Sequence, residues 1–285
     1  MVYIVIPVFN RYHYTRECLL SLFSQSYNHF KIVVVDHGST DRTKELIKKE
    51  FPNVVLLEGD DKMWWAAATN VGVDYALENK ADFILTLNND LIVKEDYLSS
   101  LISSAGIHSK SVLGSVSVDI NNSDRVAFAG IKWNQWLAKY SSAIPLPSSY
   151  NKVKENYKLI DTDLLPGRGS LFPSSVFKEL GLFNEKRFPH YMADEELSLR
   201  ARRAGYQLYI NAKSVVYSYI DDTALNTVHK NKKSFRYLLD NFVLLKSPNN
   251  LRIRWHWAQN TKWPYLYFVL DTSRVIASYI INCFK

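Results

Sequence analysis

The chain has 285 residues, 47% of them apolar, enough for one large domain or two small ones around a sizeable buried core. Its net charge of +7 is local: residues 229–285 hold ten Lys and Arg against Asp240 and Asp271, and residues 1–228 are close to neutral. That distribution, with no nucleic-acid-binding motif beside it, argues against a nucleic-acid partner and gives the basic tail a job of its own.

The opening apolar run, MVYIVIPVFNRY, has no basic leader and stops at Asn10-Arg11, so it reads as a first strand (Val2–Phe9) rather than a signal peptide. Thr15–Ser24 places Cys18, Leu19, Leu22 and Phe23 on one face of a helix. Ile32–Asp36 is a β-branched strand ending in an acid, and Thr40-Asp41 opens a helix through Leu46 and Ile47. Val54–Leu57 is the third strand, Trp65–Leu77 a helix, and Phe83–Leu87 a strand that ends in Asn88-Asn89-Asp90. Glu95–Ser104 and Val112–Val118 continue as helix and strand. Residues 121–160, with Trp133, Trp136, Pro145 and Pro147, lose the alternation and predict loops with a hairpin. A Pro-Gly-Arg-Gly turn (166–169) leads to a short helix near Ser174–Leu180. Asp194–Ala204 is a helix with acids in its first turn and Arg200, Arg202 and Arg203 towards its end, and Gly205 stops it. No run of eighteen uncharged apolar residues occurs, so no spanning helix is predicted. Cys18 lies in an apolar helical pattern and Cys283 near the end, which suits a reducing compartment rather than a disulfide framework.

Strands spaced by helices predict an α/β fold, with a mainly parallel sheet covered on both faces and ligands at the carboxyl ends of its strands. The polar clusters fall at those ends. Asp36-His37-Gly38-Ser39 suits a uracil or thymine edge and a ribose; an ordinary turn capped by Ser39 or Thr40 is the competing reading. Asn88-Asn89-Asp90 presents oxygen ligands at a strand tip, where Mg²⁺ or Mn²⁺ would be shared with a diphosphate; an Asn-rich turn is the alternative. Asp194-Glu195-Glu196 opens a helix whose N-terminus should keep Asp194 ionised and able to take a hydroxyl proton; plain capping is the alternative. Trp64 and Trp65 before a run of alanines offer a flat face and close backbone approach, or core packing.

The order of these pieces is more specific than any one of them. VIPVFNR (5–11), VVVDHGSTD (33–41), LTLNND (85–90), GRGSLFP (167–173) and DEELSLRARRAGY (194–206) resemble the successive motifs of family-2 glycosyltransferases, inverting enzymes of the GT-A fold. The resemblance covers about residues 2–220; residues 59–77 and 188–200 resemble a bacterial rhamnosyltransferase-like branch. It implies that Pro7, Asn10, Asp36 and Ser39 bind base and ribose, and that Trp65, Asn70, Asn88 and Asn89 complete the donor site. It further implies Asp90 as metal ligand and Asp194 as base, with Gly167, Arg168, Gly169, His190, Glu196 and Arg200 in the acceptor or diphosphate region. Asn88 replaces the first acid of the Asp-X-Asp motif, His37 a more usual Asp, and Ala193 the Glu of the Glu-Asp pair, for which Glu196 is the candidate substitute. A later histidine ligand is not evident: Tyr217 sits near the expected region and His229 matches it poorly.

The implied activity is inverting transfer of rhamnose or another hexose from a UDP- or dTDP-sugar to a glycan or lipid-linked acceptor, in bacterial cell-surface polysaccharide synthesis, with Mn²⁺ or Mg²⁺ as cofactor. A nucleotide-sugar-binding scaffold that has lost activity is the alternative, supported by Asn88 and Ala193. A dehydrogenase is disfavoured because Gly-X-Gly-X-X-Gly is missing after the first strand. A sugar-phosphate nucleotidylyltransferase is disfavoured by the lack of a Gly-rich basic N-terminal loop. The expected organisation is a transferase domain over 1–220, with a nucleotide-sugar half (1–120) and an acceptor half (121–220), and a basic aromatic helical extension over 221–285. That extension is expected to touch a membrane surface, with a helical hairpin packed on the enzyme or on another copy of the chain as the alternative; the first reading places the protein in the cytoplasm, peripheral on the inner face of the cell membrane.

Overall fold

The computed structural model describes residues 1–107, 110–219 and 234–284. Seven buried residues in succession make Val2–Val8 (β1) a strand covered on both faces. It pairs in parallel with β2 (Phe30–Asp36), which pairs in parallel with β3 (Val55–Glu58); on its other side β1 pairs in parallel with β4 (Phe83–Thr86). The crossovers are α1 (Tyr12–Phe23), α2 (Thr43–Glu50) and α3 (Trp65–Glu78). After β5 (Leu91–Val93) and α4 (Tyr97–Ile107) comes β6 (Ser111–Asp119), buried at all nine positions.

Residues 121–160 are more regular than their sequence predicts. They form β7 (Asn122–Phe128), the hairpin β8 (Ile131–Asn134) and β9 (Lys139–Ser142), α5 (Tyr150–Asn156) and β10 (Leu159–Asp161). β7 pairs with β6 yet leaves most of its side chains in solvent, so its backbone carries the strand and no apolar alternation marks it. Next come β11 (Ser170–Pro173), α6 (Ser174–Leu180), α7 (Ala193–Arg203) and β12 (Gln207–Ser218). The main sheet has ten strands, with the path β10-β12-β6-β11-β4-β1-β2-β3; β5 pairs with β12 and β7 with β6. β11 is antiparallel to both neighbours, so the sheet is mixed, and it is continuous across residue 120.

The core lies on both faces of the sheet. On one side Ala66, Val73 and Ala76 of α3 pack with Leu197 of α7; on the other, Leu19 and Leu22 of α1 pack with Leu98 and Leu101 of α4. Among the described residues three further helices follow: α8 (Phe235–Val243), α9 (Leu251–Ala258) and α10 (Pro264–Phe284). Asn250 caps α9, its side-chain oxygen accepting from the amides of Arg252 and Ile253. The helices fold back onto the body at one polar centre in a buried aromatic cluster. Trp133 Nε1 (3.0 Å) and Trp257 Nε1 (3.2 Å) donate to the Tyr267 hydroxyl, which donates to that of Tyr140 (3.2 Å). Among the described residues no helix is long and apolar enough to cross a membrane.

Candidate active site

The carboxyl ends of β1, β2 and β4 lie on one edge of the sheet, as parallel pairing requires. Two loops there are tied together. Asn10, in a left-handed conformation (φ 57°), accepts at Oδ1 from the amides of Thr40 (2.8 Å) and Asp41 (3.2 Å), and its own N–H donates to Ser39 Oγ (2.7 Å). Asp36 Oδ1 accepts from the amides of Gly38 (3.2 Å) and Ser39 (2.8 Å), while its Oδ2 is buried without a partner among the described residues. An orphaned buried acceptor of this kind is satisfied by a ligand N–H or O–H. Pro7 is buried within β1 beside Val35, and Phe9 stacks on His37 at 5.4 Å. Asn10 and Ser39 thus shape the loops, and Asp36 keeps a free oxygen.

Next to these loops is a cavity of about 760 Å³, within the usual range for small-molecule sites. Trp65, Asn88, Asp90, Gly167, Arg168, His190 and Asp194 of the predicted residues line it. Trp65, at the start of α3, donates its indole N–H to Asn88 Oδ1 at 3.0 Å. Gly167 is needed at its position because a Cβ there would lie 2.4 Å from the Trp65 ring. Its amide donates to Asp194 Oδ2 at 2.5 Å, and the amide of Glu195 donates to Asp194 Oδ1 at 3.0 Å. The backbone therefore fixes the Asp194 carboxylate.

Five predicted residues do other work. Asn89 points to α1, donating to Thr15 Oγ1 at 2.9 Å. Asn70 lies outside the cavity: its amide joins Phe183 in both directions (3.0 Å each) and donates to Glu185 at 2.8 Å, which anchors the turn after α6. Glu196 is buried, and both its oxygens accept from Arg200 Nε. Arg200 also donates to the carbonyls of Leu180 (2.5 Å) and Leu182 (2.7 Å), so the pair clamps α7 to α6 and neither residue faces the cavity. Gly169, at φ +81°, serves the turn itself, its amide donating to the Thr86 carbonyl at 2.9 Å.

The electrostatics also differ from expectation. Burial raises the Asp194 pKa above the ordinary carboxylate value, against the lowering effect of the two backbone amides and the Arg168 charge. The helix N-terminus alone predicted the opposite sign. Its neighbour Glu195, which sequence reasoning passed over, also lines the cavity; burial and the Asp194 charge push its pKa up to about 8. Burial lowers the His190 pKa to about 4, with Lys246 and His37 adding repulsion, so His190 is a neutral imidazole at pH 7.

Other wall residues come from segments that carry no motif: Tyr140 from the hairpin, Ser218 at the end of β12 and Tyr219 after it, and Arg254 and Asp271 from the C-terminal helices. Ser218 is opposite Leu91 in the sheet, which brings the end of β12 beside Asp90, while Tyr217 pairs with Ile92 and Val118. His229 lies outside the described residues. No group of three or more His, Cys, Asp or Glu side chains among the described residues forms a ready-made metal cage. Asp90 and the Asn88 oxygen are hard donors in one cavity, and they fit an Mg²⁺ or Mn²⁺ ion that takes its remaining ligands from a diphosphate and water.

Comparison with known proteins agrees with this architecture. The chain is 24% identical to the glycosyltransferase GlyA of Streptococcus pneumoniae over 179 residues, 62% of this chain but only a quarter of GlyA. The structure of Staphylococcus aureus TarS 1–349 in complex with UDP-GlcNAc superposes with a TM-score of 0.56 at 15% identity, covering 89% of this chain and 70% of that one. GalNAc-T7 with UDP, GalNAc and Mn²⁺ superposes with a TM-score of 0.61 at 16% identity, covering 98% of this chain and 57% of that one. At such identities the structures attest to the fold alone. The profile described as Glycosyl transferase family 2 matches residues 3–181, more than half of the sequence. The chain belongs to glycosyl transferase family 2, as a glycosyltransferase with an α/β GT-A-like fold.

Proposed function

We propose that this glycosyltransferase moves a sugar from a UDP- or dTDP-sugar to a hydroxyl of a glycan or lipid-linked acceptor, with inversion, and that Asp194 is the base. The observation that carries the reading is the Asp194 carboxylate, held by the amides of Gly167 and Glu195 in the same cavity as Asp90 and Arg168. Asp36, with its unpartnered buried oxygen, receives a donor group of the base, and the ribose lies over the Asn10–Ser39 link. The UDP-GlcNAc bound to TarS and the UDP bound to GalNAc-T7 support a uridine donor.

In the reaction the acceptor oxygen forms a bond to the anomeric carbon while the bond from that carbon to the diphosphate oxygen breaks. The electron pair leaves with the nucleoside diphosphate, and the hydroxyl proton passes to an Asp194 oxygen. A raised pKa suits this task, since a base works best when its pKa approaches the working pH. Asp90 and Asn88 would hold an Mn²⁺ or Mg²⁺ ion, which supplies charge neutralisation to the departing diphosphate. Tyr140, Arg254 and the neutral His190 line the same cavity, which supports acceptor contact by them. The resemblance of residues 59–77 to rhamnosyltransferase-like enzymes favours rhamnose or another hexose, and bacterial cell-surface polysaccharide synthesis in the cytoplasm as the setting.

A thermal-shift screen of nucleotide sugars with Mn²⁺ or Mg²⁺ identifies the donor, because a specific ligand stabilises the state it binds. With that donor, Asp194→Asn should lower kcat by about 10²–10⁴-fold while leaving nucleotide-sugar binding within a few fold. Retained turnover would remove Asp194 from the mechanism. Measurable transfer or donor hydrolysis by the purified protein disposes of the inactive-scaffold reading.

A further inference from the structure

The last helix has two faces that meet different surroundings. Its inner face is occupied: Tyr267 is buried in the aromatic cluster with Trp133 and Trp257, and Asp271 is buried in an ion pair with Arg254. Its outer face is apolar and bare. Tyr265, Val269, Ile276, Ile280 and Phe284 follow one another at helical spacing with 75, 59, 38, 47 and 88% exposure, and Leu266 and Ile281 widen the stripe. At 1.5 Å per residue the stripe is about 30 Å long, and Trp263, 54% exposed, stands at its head.

We propose that α10 docks the enzyme on an anionic membrane surface, lying along the lipid–water interface with this stripe in the acyl boundary. Charge identifies the surface. Among the described residues from 234 onward, Arg236, Lys246, Arg252, Lys262 and Arg274 are all exposed, whereas Asp271 is buried and paired and Asp240 is half-buried. A lipid surface bearing phosphate groups complements that pattern. The stripe spans nearly half of the helix circumference, broader than the seam through which two helices of a coiled coil meet, and tryptophan and tyrosine at its head suit the interface. Asp271 and Arg274 within the helix, and the lack of a sufficiently apolar window, keep it on the surface rather than across the bilayer. Because Asp271 also lines the active-site cavity, docking would bring that wall close to the lipid; this consequence rests on the functional reading above, whereas the docking does not.

The test is sedimentation of the full chain with equimolar phosphatidylglycerol–phosphatidylcholine vesicles and with phosphatidylcholine alone. Binding to the anionic vesicles is expected, weakening as salt rises. The double variant Ile276→Asp/Ile280→Asp should bind about tenfold less. Both positions are solvent-exposed, so its melting temperature and nucleotide-sugar binding should match the parent. Failure to bind anionic vesicles, equal binding to uncharged ones, or undiminished binding by the double variant would each overturn the proposal. So would a dimer, seen by light scattering, that the double variant dissociates without any vesicle binding by the parent; the stripe would then be a surface between copies.

Discussion

Asp194 and Glu195 are adjacent, similarly buried and unequally supported. Asp194 accepts two backbone amides, whereas among the described residues the Glu195 carboxyl has no hydrogen-bond partner and feels the Asp194 charge. Burial and the Asp194 charge push the Glu195 pKa up to about 8, so Glu195 keeps its proton at neutral pH. Between the unfolded glutamate pKa of about 4.3 and the native value of about 8, the folded state holds a proton that the unfolded chain has released, so stability falls as pH rises through that window. Glu195→Gln removes this dependence. Its melting temperature should exceed the parent's by a few degrees above pH ~8 and differ little near pH ~5, as scanning calorimetry can read. Turnover should survive in this variant; a loss as deep as that of Asp194→Asn would transfer the base role to Glu195. At the other end of the cavity, Asp90→Ala should abolish the enhancement of donor binding by Mn²⁺, measured by calorimetric titration with and without the metal. An unchanged enhancement would remove Asp90 as a ligand.

Elements were legible in the sequence in proportion to how deeply they are buried. β1, β2 and β6 are buried along most or all of their length and read as apolar runs; α7 showed its start and stop in the acids of its first turn, the arginines of its last and Gly205. The β8–β9 hairpin was expected within 121–160, but β7 was not, because most of its side chains face water and backbone pairing with β6 defines it. β11 is buried, but with four residues inserted antiparallel between β4 and β6 it is too short to show a period in the sequence. The C-terminal helices were expected, with packing on the enzyme as one reading, but the residues that join them to it were not. The Tyr267 hydroxyl serves two indole donors and the Tyr140 hydroxyl, which joins α10 to α9 and to the hairpin. Tyr267→Phe strands these buried donors at a cost of about 1–3 kcal/mol, and thermal unfolding should register it. A variant as stable as the parent would mean that packing and the Arg203–Asn260 and Arg274–Leu137 hydrogen bonds hold the helices without this centre.

At the scale of the whole molecule, the cavity is closed by parts of the chain far apart in sequence. Arg254 and Asp271 lie on its wall and form a buried ion pair, although both belong to the basic tail. Removing one partner would leave a buried charge, so the informative change is Arg254→Met with Asp271→Leu, which replaces the pair by apolar groups at little cost in stability. If the tail contacts the acceptor, this variant should raise the acceptor KM about tenfold and leave the donor KM unchanged, in steady-state assays at saturating partner substrate. An unchanged acceptor KM would restrict the tail to a structural role. By itself the sequence determined the parallel strand–helix alternation, the family, and the motif residues that reach the cavity: Trp65, Asn88, Asp90, Gly167, Arg168, His190 and Asp194. Those features are local, because burial periodicity and turn chemistry are written in neighbouring residues. Only the tertiary structure decided that Asn70, Glu196 and Arg200 serve packing, that Asp194 is raised rather than lowered in pKa, and that the tail forms part of the cavity wall. Each of these depends on which distant groups exclude water from a side chain or satisfy its hydrogen bonds, and that is set when the chain closes on itself.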